Sequence, residues 1–332
     1  MKERDYQLDN IRGILVFFVV FGHALELVRI NSGLSAYVYN FIYMFHMPVY
    51  IFITGYLSKN ISKGRDTAFR KLFIPFLLFN SIWNFIQVVS MHFIEIPLDS
   101  PVAFSFLNPG WALWFILALF LWKLLLPDLL KIKNIFAVVL VIGLFSRLFS
   151  EFNIFLSLSR FLVFSPYFIG GYLFNRAGLD RIRKVPYLGA GLIILLTLVF
   201  NYFFTFYTNY PTEFLWADRS FSFFSENIFI SIFFGAIIYL IGFAFVAVFI
   251  KFTPHKQSFI SKLGKHSLPV YILHTYVIGV VSFMLLDLND NLQLLLLAGI
   301  SALLAYLLSQ DIVFKQFNKL LDKVDRFLFK VK

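Results

Sequence analysis

Long apolar runs recur along the whole chain and are separated by short polar segments. The hydrocarbon core of a bilayer is about 30 Å thick, and a helix needs roughly 20 apolar residues to cross it. Windows suited to this role lie at 11–29, 36–57, 70–94, 111–126, 134–149, 160–176, 185–207, 228–250, 267–286 and 292–311. The pattern predicts an all-α fold, a polytopic integral membrane bundle of about ten transmembrane helices. We expect one domain over 1–332 with short cytoplasmic tails, 1–10 and 312–332.

Basic residues collect in every second polar segment. With the N-terminus placed in the cytoplasm, 25 of the 29 lysines and arginines fall on the cytoplasmic side. The exceptions are Arg29, Arg147, Arg160 and Arg219. Cytoplasmic loops of membrane proteins are enriched in these residues, and one span more or fewer would invert half of the loops. The bias therefore predicts an even number of spans, with both chain ends in the cytoplasm.

Composition agrees with a chain embedded in lipid, since 60% of its residues are hydrophobic and 14% are charged. A soluble domain is about half apolar and a quarter charged. The net charge of +11 comes from scattered loop residues that set topology, so it does not indicate a nucleic-acid partner. The absence of cysteine excludes thiolate metal ligands and a cysteine acyl-enzyme. Charged groups interrupt the first run and no small-residue cleavage pattern follows it, which indicates a first transmembrane helix rather than a signal peptide.

Arg12 and His23 are the polar residues of most interest in the first helix. Eleven positions separate them, so they share one helical face and lie about 16 Å apart along the axis. An arginine suits phosphate, because its planar fork donates two parallel hydrogen bonds, and a neutral histidine suits removal of a hydroxyl proton. The separation resembles the reach of an extended pantetheine arm. Taken singly, Arg12 also fits a snorkelling anchor, and His23 also fits a helix-packing hydrogen bond.

Further polar residues lie at membrane depth in other helices. Glu26 follows His23 by one turn, where it would orient the imidazole or face external water. His46 precedes Pro48, which permits a kink. His274 lies one turn after Tyr271, and the third helix presents a polar face. The members of that face are Asn80, Asn84 and the nearby Trp83 and Gln87. The histidines lack the spacing of a metal site, so no metal is expected.

Two longer external segments, 95–110 and 208–227, combine aromatic rings with carboxylates and polar groups. Their relevant residues are Glu95, Asp99, Asn108, Trp111, Tyr207, Tyr210, Glu213, Trp216, Asp218 and Glu226. Proteins hold sugars by stacking aromatic rings on the sugar face and by hydrogen bonding to hydroxyls. An interfacial aromatic belt is the equally open alternative.

Six blocks along the chain together carry a resemblance to a known family. They are Asp9-Asn10-Ile11-Arg12-Gly13 through Phe21-Gly22-His23-Ala24, Phe45-His46-Met47-Pro48 with Thr54-Gly55-Tyr56-Leu57, Arg70-Lys71-Leu72-Phe73-Ile74-Pro75, Leu113-Trp114-Phe115-Ile116, Phe168-Ile169-Gly170-Gly171-Tyr172-Leu173, and Ser267-Leu268-Pro269-Val270-Tyr271-Ile272-Leu273-His274. With these six blocks in this order, the chain resembles the acyltransferase-3 family of membrane acyltransferases, in particular the branch that O-acetylates bacterial sugars and exopolysaccharides. Many members carry two arginines three positions apart where Arg70 and Phe73 stand here, so the second basic contact is displaced or supplied by another loop.

The resemblance implies a bundle in the bacterial plasma membrane that moves acetyl from cytosolic acetyl-CoA to a carbohydrate hydroxyl at the outer face. It gives Arg12 a donor contact and His23 the role of general base, with Glu26 beside it. Direct transfer is the simplest mechanism, and a transient acetyl-histidine is the alternative. The CoA phosphates would meet Arg65, Arg70 and Lys71. The residues expected near the substrates are His46, Asn80, Asn84, Trp111, Trp114 and His274, with Asn80, Asn84 and Trp114 as oxyanion donors.

The alternative function, from another class, is a transporter or flippase of a lipid-linked glycan. It would show deep charged pairs on several helices and repeated halves. Here the deep charge is concentrated in the first helix, which favours the acyltransferase.

Overall fold

The computed structural model describes residues 4–93, 105–285 and 288–329, and for 91–93 it describes the backbone alone. All regular structure in these ranges is helical, as predicted. The helices are α1 Tyr6–Val28, α2 Gly33–Leu57, α3 Ile61–Ala68, α4 Ile74–Phe93, α5 Trp114–Leu129, α6 Ile135–Phe145, α7 Leu158–Leu173, α8 Arg176–Arg183, α9 Tyr187–Tyr207, α10 Ile228–Phe252, α11 Phe259–Lys265, α12 Ser267–Leu273, α13 Thr275–Met284, α14 Asp290–Leu308 and α15 Asp311–Leu328. A π-helical turn, Phe69–Phe73, joins α3 to α4.

Seven helical segments in the described ranges are long and apolar enough to cross a membrane by length and composition. The pair α12 and α13, bent by 51°, would make an eighth span. The windows predicted at 134–149 and 160–176 correspond to α6 and α7, which have 11 and 16 residues. The all-α membrane bundle is confirmed, and the count of ten spans stays a prediction.

Polar contacts define the two ends of the bundle. At one end Gln7 donates to the Thr253 carbonyl at 2.9 Å, and Lys262 pairs with Asp311 at 2.9 Å. We call this the inner end, after the predicted orientation. At the other, the outer end, Arg29 pairs with Glu213 at 2.8 Å. The ion pair of Arg160 with Asp218 and the hydrogen bond from Arg147 to the Arg219 carbonyl also lie at the outer end. All four arginines that the topology analysis set apart therefore lie opposite the inner-end bases.

Close helix crossings depend on glycines in the blocks singled out from sequence. Helices α2 and α7 cross closely at two glycines. A Cβ added to Gly55 of α2 would lie 2.1 Å from the Phe168 carbonyl oxygen of α7. A Cβ added to Gly171 of α7 would lie 1.9 Å from the Phe52 carbonyl oxygen of α2. A Cβ on Gly264 of α11 would lie 1.8 Å from the Asp9 carbonyl oxygen of α1. Small residues let membrane helices approach to backbone contact. These crossings fix α1 and α2 in the centre of the bundle.

Helix α1 is central and unbroken. It begins at Asp5, whose side chain accepts a hydrogen bond from the Gln7 amide and so caps the helix. Most of its apolar residues are buried, among them Ile11, Leu15, Val19 and Leu25. It packs against α2 and against the segment from α11 to α14. An unbroken helix keeps Arg12 and His23 at the spacing that the sequence predicts, about 16 Å along the axis.

Candidate active site

His23 of α1 lies against His274, which stands at the bend between α12 and α13. His23 Nδ1 and His274 Nε2 are 2.8 Å apart, and the two rings stack at 5.1 Å between centroids. His274 is fully buried and His23 is 8% exposed. Sequence reasoning assigned His274 to substrate binding without alignment to Arg12, whereas the structure makes it the direct partner of His23.

The hydrogen bonds around this pair determine which ring nitrogens carry protons. His274 Nδ1 lies 3.0 Å from the Val270 carbonyl oxygen, which only accepts, so Nδ1 carries the proton. In neutral His274 the Nε2 atom is then an acceptor, and His23 must donate to it from Nδ1. Neutral His23 therefore keeps an unprotonated Nε2. This tautomer is the one that a general base needs.

Arg12 and His23 both reach the segment from Ser267 to His274. Arg12 Nη2 donates to Ser267 Oγ at 2.7 Å, and Tyr50 donates to the same oxygen at 2.9 Å. The shared face that helical spacing predicted is thus present, and α12 with the following bend packs against it.

An outer cavity of about 240 Å³ opens beside His23. It is lined by three groups of side chains: ionisable residues, indole rings and apolar residues. The ionisable residues are His23, Glu26, His46, Arg160 and Asp218, and the indoles are Trp111, Trp114 and Trp216. The cavity therefore combines hydrogen-bonding groups with flat aromatic faces.

His46 of α2 faces this same cavity. Its Nδ1 donates to the Ile42 carbonyl at 2.8 Å, which leaves Nε2 as an acceptor. Tyr43 meets the ring edge-on at 4.7 Å. His46 resembles His23 in tautomer, but a backbone carbonyl holds it, whereas a second imidazole holds His23.

Glu26 does not hold the imidazole of His23, contrary to the sequence-based expectation. Its Oε2 atom accepts a hydrogen bond from Trp111 Nε1 at 2.8 Å. The Trp111 ring in turn lies 4.9 Å from that of His23. Glu26 thus acts on the site by holding Trp111 over the histidine.

Asn80 and Asn84 do not line the outer cavity. They form hydrogen bonds with residues 105–110, the segment that precedes Trp111. The Asn80 amide nitrogen donates to the carbonyls of Ser105, Phe106 and Asn108, at 3.1 to 3.2 Å. Asn84 Nδ2 donates to the Asn80 and Ser105 carbonyls. Both side chains therefore donate to backbone carbonyls in this structure, and that Asn80 and Asn84 stabilise an oxyanion stays a prediction. Trp111 itself has a φ of 37°, which is an unfavourable backbone conformation for a tryptophan. The hydrogen bonds from Asn80 and Asn84 to the preceding segment maintain this conformation.

A second, inner cavity of about 240 Å³ opens at the inner end. Arg12, Ser267 and Lys123 line it, and Tyr271 lines both it and the outer cavity. Tyr271 donates to the Ala112 carbonyl and meets Phe115 edge-on at 5.3 Å. The two cavities therefore meet at one tyrosine, with Arg12 on one side and His23 on the other.

The other basic residues expected at the donor are not in the inner cavity. Arg65 pairs with Asp128 at 3.2 Å, and Arg70 pairs with Asp325 at 3.4 Å, all partly exposed at the inner end. Lys71 is exposed in the π-helical turn. Its charge and that of Arg12 act on Lys123, so the mouth of the cavity gathers positive charge.

Sequence reasoning missed several residues that shape the two cavities. Lys123 was counted only as a topology signal, Arg160 only as an exception to it, and Tyr271 only as a neighbour of His274. The external loops did signal part of the site, because Trp216 and Asp218 of 208–227 line the outer cavity. Glu213 of the same loop pairs with Arg29 instead, while Glu95 and Asp99 lie outside the described residues. Among described residues, no group of three or more His, Asp or Glu side chains is arranged to hold a metal ion.

The helical bundle and its buried histidine pair define a multi-pass membrane protein with an imidazole beside one cavity and a cationic second cavity. Comparison with known families identifies the class. The family model for the acyltransferase domain, acyltransferase-3, matches residues 5–310. The chain therefore belongs to the acyltransferase-3 family, and it is a membrane acyltransferase.

Curated relatives align with a part of the chain. The nodulation protein NolL of Sinorhizobium fredii is 33% identical over 132 residues, which cover 36% of this chain and 36% of that protein. NolL of Mesorhizobium japonicum is 34% identical over 94 residues, 25% of each chain. The chain thus spans about a third or less of the length of these relatives. No solved structure matches it significantly.

Proposed function

We propose that the protein transfers acetyl from acetyl-CoA, bound from the inner end, to a carbohydrate hydroxyl in the outer cavity. The observation that carries this proposal is the His23–His274 pair, which leaves His23 Nε2 unprotonated beside that cavity. Membership of the acyltransferase-3 family supports the acyl-transfer chemistry.

In the proposed reaction His23 Nε2 removes the proton of the acceptor hydroxyl as its oxygen attacks the thioester carbonyl. The carbonyl carbon gains a C–O bond, and collapse of the tetrahedral intermediate breaks the C–S bond. His23 then returns its proton to the leaving CoA sulfur, so the base is restored. The absence of cysteine favours this direct route over a thioester acyl-enzyme, and an acetyl-histidine is the alternative intermediate.

The inner cavity supports a donor with several negative charges. Arg12 and Lys123 line it, and the positive charges of Arg12 and Lys71 act on Lys123. Clustered cations in a partly buried cavity repel each other, and a phosphate group relieves that repulsion. We propose that Arg12 and Lys123 contact the CoA phosphates, with the pantetheine arm passing Tyr271 toward His23. Arg65 and Arg70 would attract the donor from the surface.

The outer cavity supports a carbohydrate acceptor. Three indole rings line it together with Asp218 and Glu26. Flat aromatic faces pack against the C–H face of a sugar ring, and carboxylates accept hydrogen bonds from its hydroxyls. We place the protein in the bacterial plasma membrane with the inner end cytoplasmic, because the inner end carries the loop bases.

A transporter of a lipid-linked glycan is the second candidate, and the break between α12 and α13 favours it. Transporters often bind substrate at discontinuous helices near the middle of the membrane. Here the break serves another purpose, because it places His274 against His23.

Incubation of purified protein with acetyl-CoA labelled in the acetyl group and with a bacterial surface glycan separates the two functions. We expect labelled acetyl esters on the glycan, quantified by mass spectrometry. Movement of the glycan across vesicles without any ester formation would contradict the acyltransferase function and support transport.

A further inference from the structure

Asp218 lines the outer cavity and has one carboxylate oxygen without a hydrogen-bond partner among the described residues. Its Oδ2 atom accepts from Arg160 Nη2 at 3.0 Å. Its Oδ1 atom is buried and has no hydrogen-bond partner among the described residues. The residue is 7% exposed and lines the outer cavity together with His23. A buried carboxylate oxygen without a partner is unfavourable, so it points to a ligand that completes it.

The backbone around Asp218 is fixed by several hydrogen bonds. Arg160 Nε donates to the Trp216 carbonyl at 2.9 Å, and Ser159 Oγ donates to the Ala217 carbonyl at 2.8 Å. Trp216 Nε1 donates to the Tyr39 hydroxyl at 2.7 Å. The start of α7 therefore holds this part of the 208–227 loop in place, and the free oxygen belongs to a preorganised site.

Two guanidinium groups face the Asp218 carboxylate. Arg160 forms an ion pair with Asp218. The negative charge of Asp218 also acts on Arg147, although Asp218 and Arg147 form no ion pair in the described part of the chain. Arg160 also lies over the Trp114 ring at 5.2 Å. A carboxylate oxygen accepts hydrogen bonds and donates none, so the missing partner is a donor such as a hydroxyl.

We propose that Asp218 Oδ1 binds a second hydroxyl of the acceptor while a first hydroxyl meets His23 Nε2. This assignment rests on the proposed acetyl transfer and narrows the acceptor class to polyols whose hydroxyls reach both residues at once. Asp218 is then an acceptor-binding residue that sets which hydroxyl is acetylated, and a molecule with one hydroxyl is a poor acceptor.

The test compares acceptors on the unmodified protein before any variant is made. Methyl glycosides of glucose, galactose and mannose, their monodeoxy analogues, and cyclohexanol serve as probes with acetyl-CoA. We expect transfer to at least one glycoside, and a KM about ten- to a hundredfold higher when one hydroxyl other than the acetylated one is removed. Equal transfer to cyclohexanol, or a KM that no deoxygenation changes, would overturn the proposal.

Asp218→Asn then assigns the effect to this residue. With the amide oxygen on Arg160, the amide nitrogen takes the place of Oδ1 and donates where Oδ1 accepts. We expect a higher glycoside KM, loss of the deoxy discrimination, and unchanged acetyl-CoA affinity. Glu213→Gln is the matched control, because it also neutralises an outer-end carboxylate paired with an arginine but lies outside the cavity. A glycoside KM equal to that of the unmodified protein in Asp218→Asn refutes the role of Asp218.

Calorimetric binding of the same glycosides separates failure of this proposal from failure of the proposed function. Binding that Asp218→Asn abolishes, without acetyl transfer by the unmodified protein, would keep the polyol site and reject the acyl-transfer chemistry there. Acetyl transfer that does not depend on Asp218 would support the acyl-transfer chemistry and reject the polyol site. If Asp218→Asn does not give monodisperse protein, the deoxy series on the unmodified protein decides the matter.

Discussion

A histidine oriented by a second histidine differs chemically from one oriented by a carboxylate. The neutral pair of His23 and His274 is easier to bury than an ion, because no full charge leaves water. In the proposed reaction, such a pair would also give less support than a carboxylate to the imidazolium formed when His23 takes a proton. Two carboxylates, those of Glu26 and Asp218, line the same cavity.

Replacing His23 by alanine tests the base. Transfer should fall by at least about 10²-fold, the lower end for lost general acid–base catalysis, while acetyl-CoA binding and folding persist. His46→Ala is the comparison, since its free Nε2 faces the same cavity without a histidine partner, and it should lose less activity. Loss of transfer in His46→Ala with retention in His23→Ala would move the base to α2.

Replacing His274 tests its role as a positioning residue. His274→Ala leaves His23 Nδ1 without its acceptor, so kcat should fall roughly ten- to a hundredfold, the size found when a partner orienting a metal-bound histidine is removed. His274→Gln places an amide oxygen near the lost Nε2 atom and should restore part of kcat, with an unchanged KM for acetyl-CoA. Equal losses in both variants would indicate a packing role instead.

Donor binding should depend on Arg12 and Lys123. Arg12→Ala should weaken acetyl-CoA binding by about 1.5–3 kcal/mol, the range for a hydrogen bond to a charged group. Arg12→Lys should recover a part, because an ammonium lacks the planar fork. Lys123→Met should weaken binding as well, whereas Lys131→Met, at the surface with Asp128, should not. Calorimetry that shows unchanged affinity in Arg12→Ala would make Arg12 an anchor only.

The sequence was sufficient to find Arg12 and His23, because helical geometry relates residues within one helix. It was insufficient for partners on other helices. Glu26 is one turn from His23, and yet the histidine bonds across the bundle to His274. The contacts of Asn80 and Asn84 with the segment before Trp111 were missed for the same reason, since those partners lie 21 to 30 positions away.

At the scale of elements, the bend at His274 has a local physical cause. His274 Nδ1 and Thr275 Oγ1 both donate to carbonyls of the preceding turn, those of Val270 and Ile272. Side chains that bond back to helix carbonyls bend helices. A window of apolar residues does not register this, so the sequence predicted one continuous span over 267–286.

Helix crossings give a stability prediction for a single glycine. Gly171→Ala places a Cβ against the Phe52 backbone, so the protein should lose about 1–3 kcal/mol of stability, the usual cost of overpacking. Gly191→Ala in α9 is the control, because no atom lies within 4 Å of its added Cβ. It should be neutral or gain about 0.5–1 kcal/mol from helix propensity. Thermal unfolding in detergent measures both, and equal midpoints would contradict the tight α2–α7 crossing.

Long apolar helices were predictable because lipid requires a minimum apolar length, and α1, α2, α9, α10 and α14 follow the predicted windows. The polar helices at the inner end were not predicted. Helices α3, α8 and α15 carry many charges and bury one residue each, Ala68, Leu179 and Phe317. Hydropathy does not signal such segments.

At the scale of the whole molecule, the fold places two cavities end to end. Arg12 and Lys123 mark the inner one, His23 and Asp218 mark the outer one, and Tyr271 separates them. Under the proposed function, this arrangement would let a donor and an acceptor that never share a compartment react at one point. The central claim is therefore one of sidedness: acetyl leaves CoA at the inner end and reaches a hydroxyl at the outer end.

Sealed inside-out membrane vesicles containing the protein test this claim most directly. Their cytoplasmic face is outward, so labelled acetyl-CoA is added outside while the glycan acceptor is trapped in the lumen. We expect labelled acetyl esters on the luminal glycan, and none in vesicles carrying His23→Ala. Ester formation only when donor and acceptor share the same side of the membrane would contradict it.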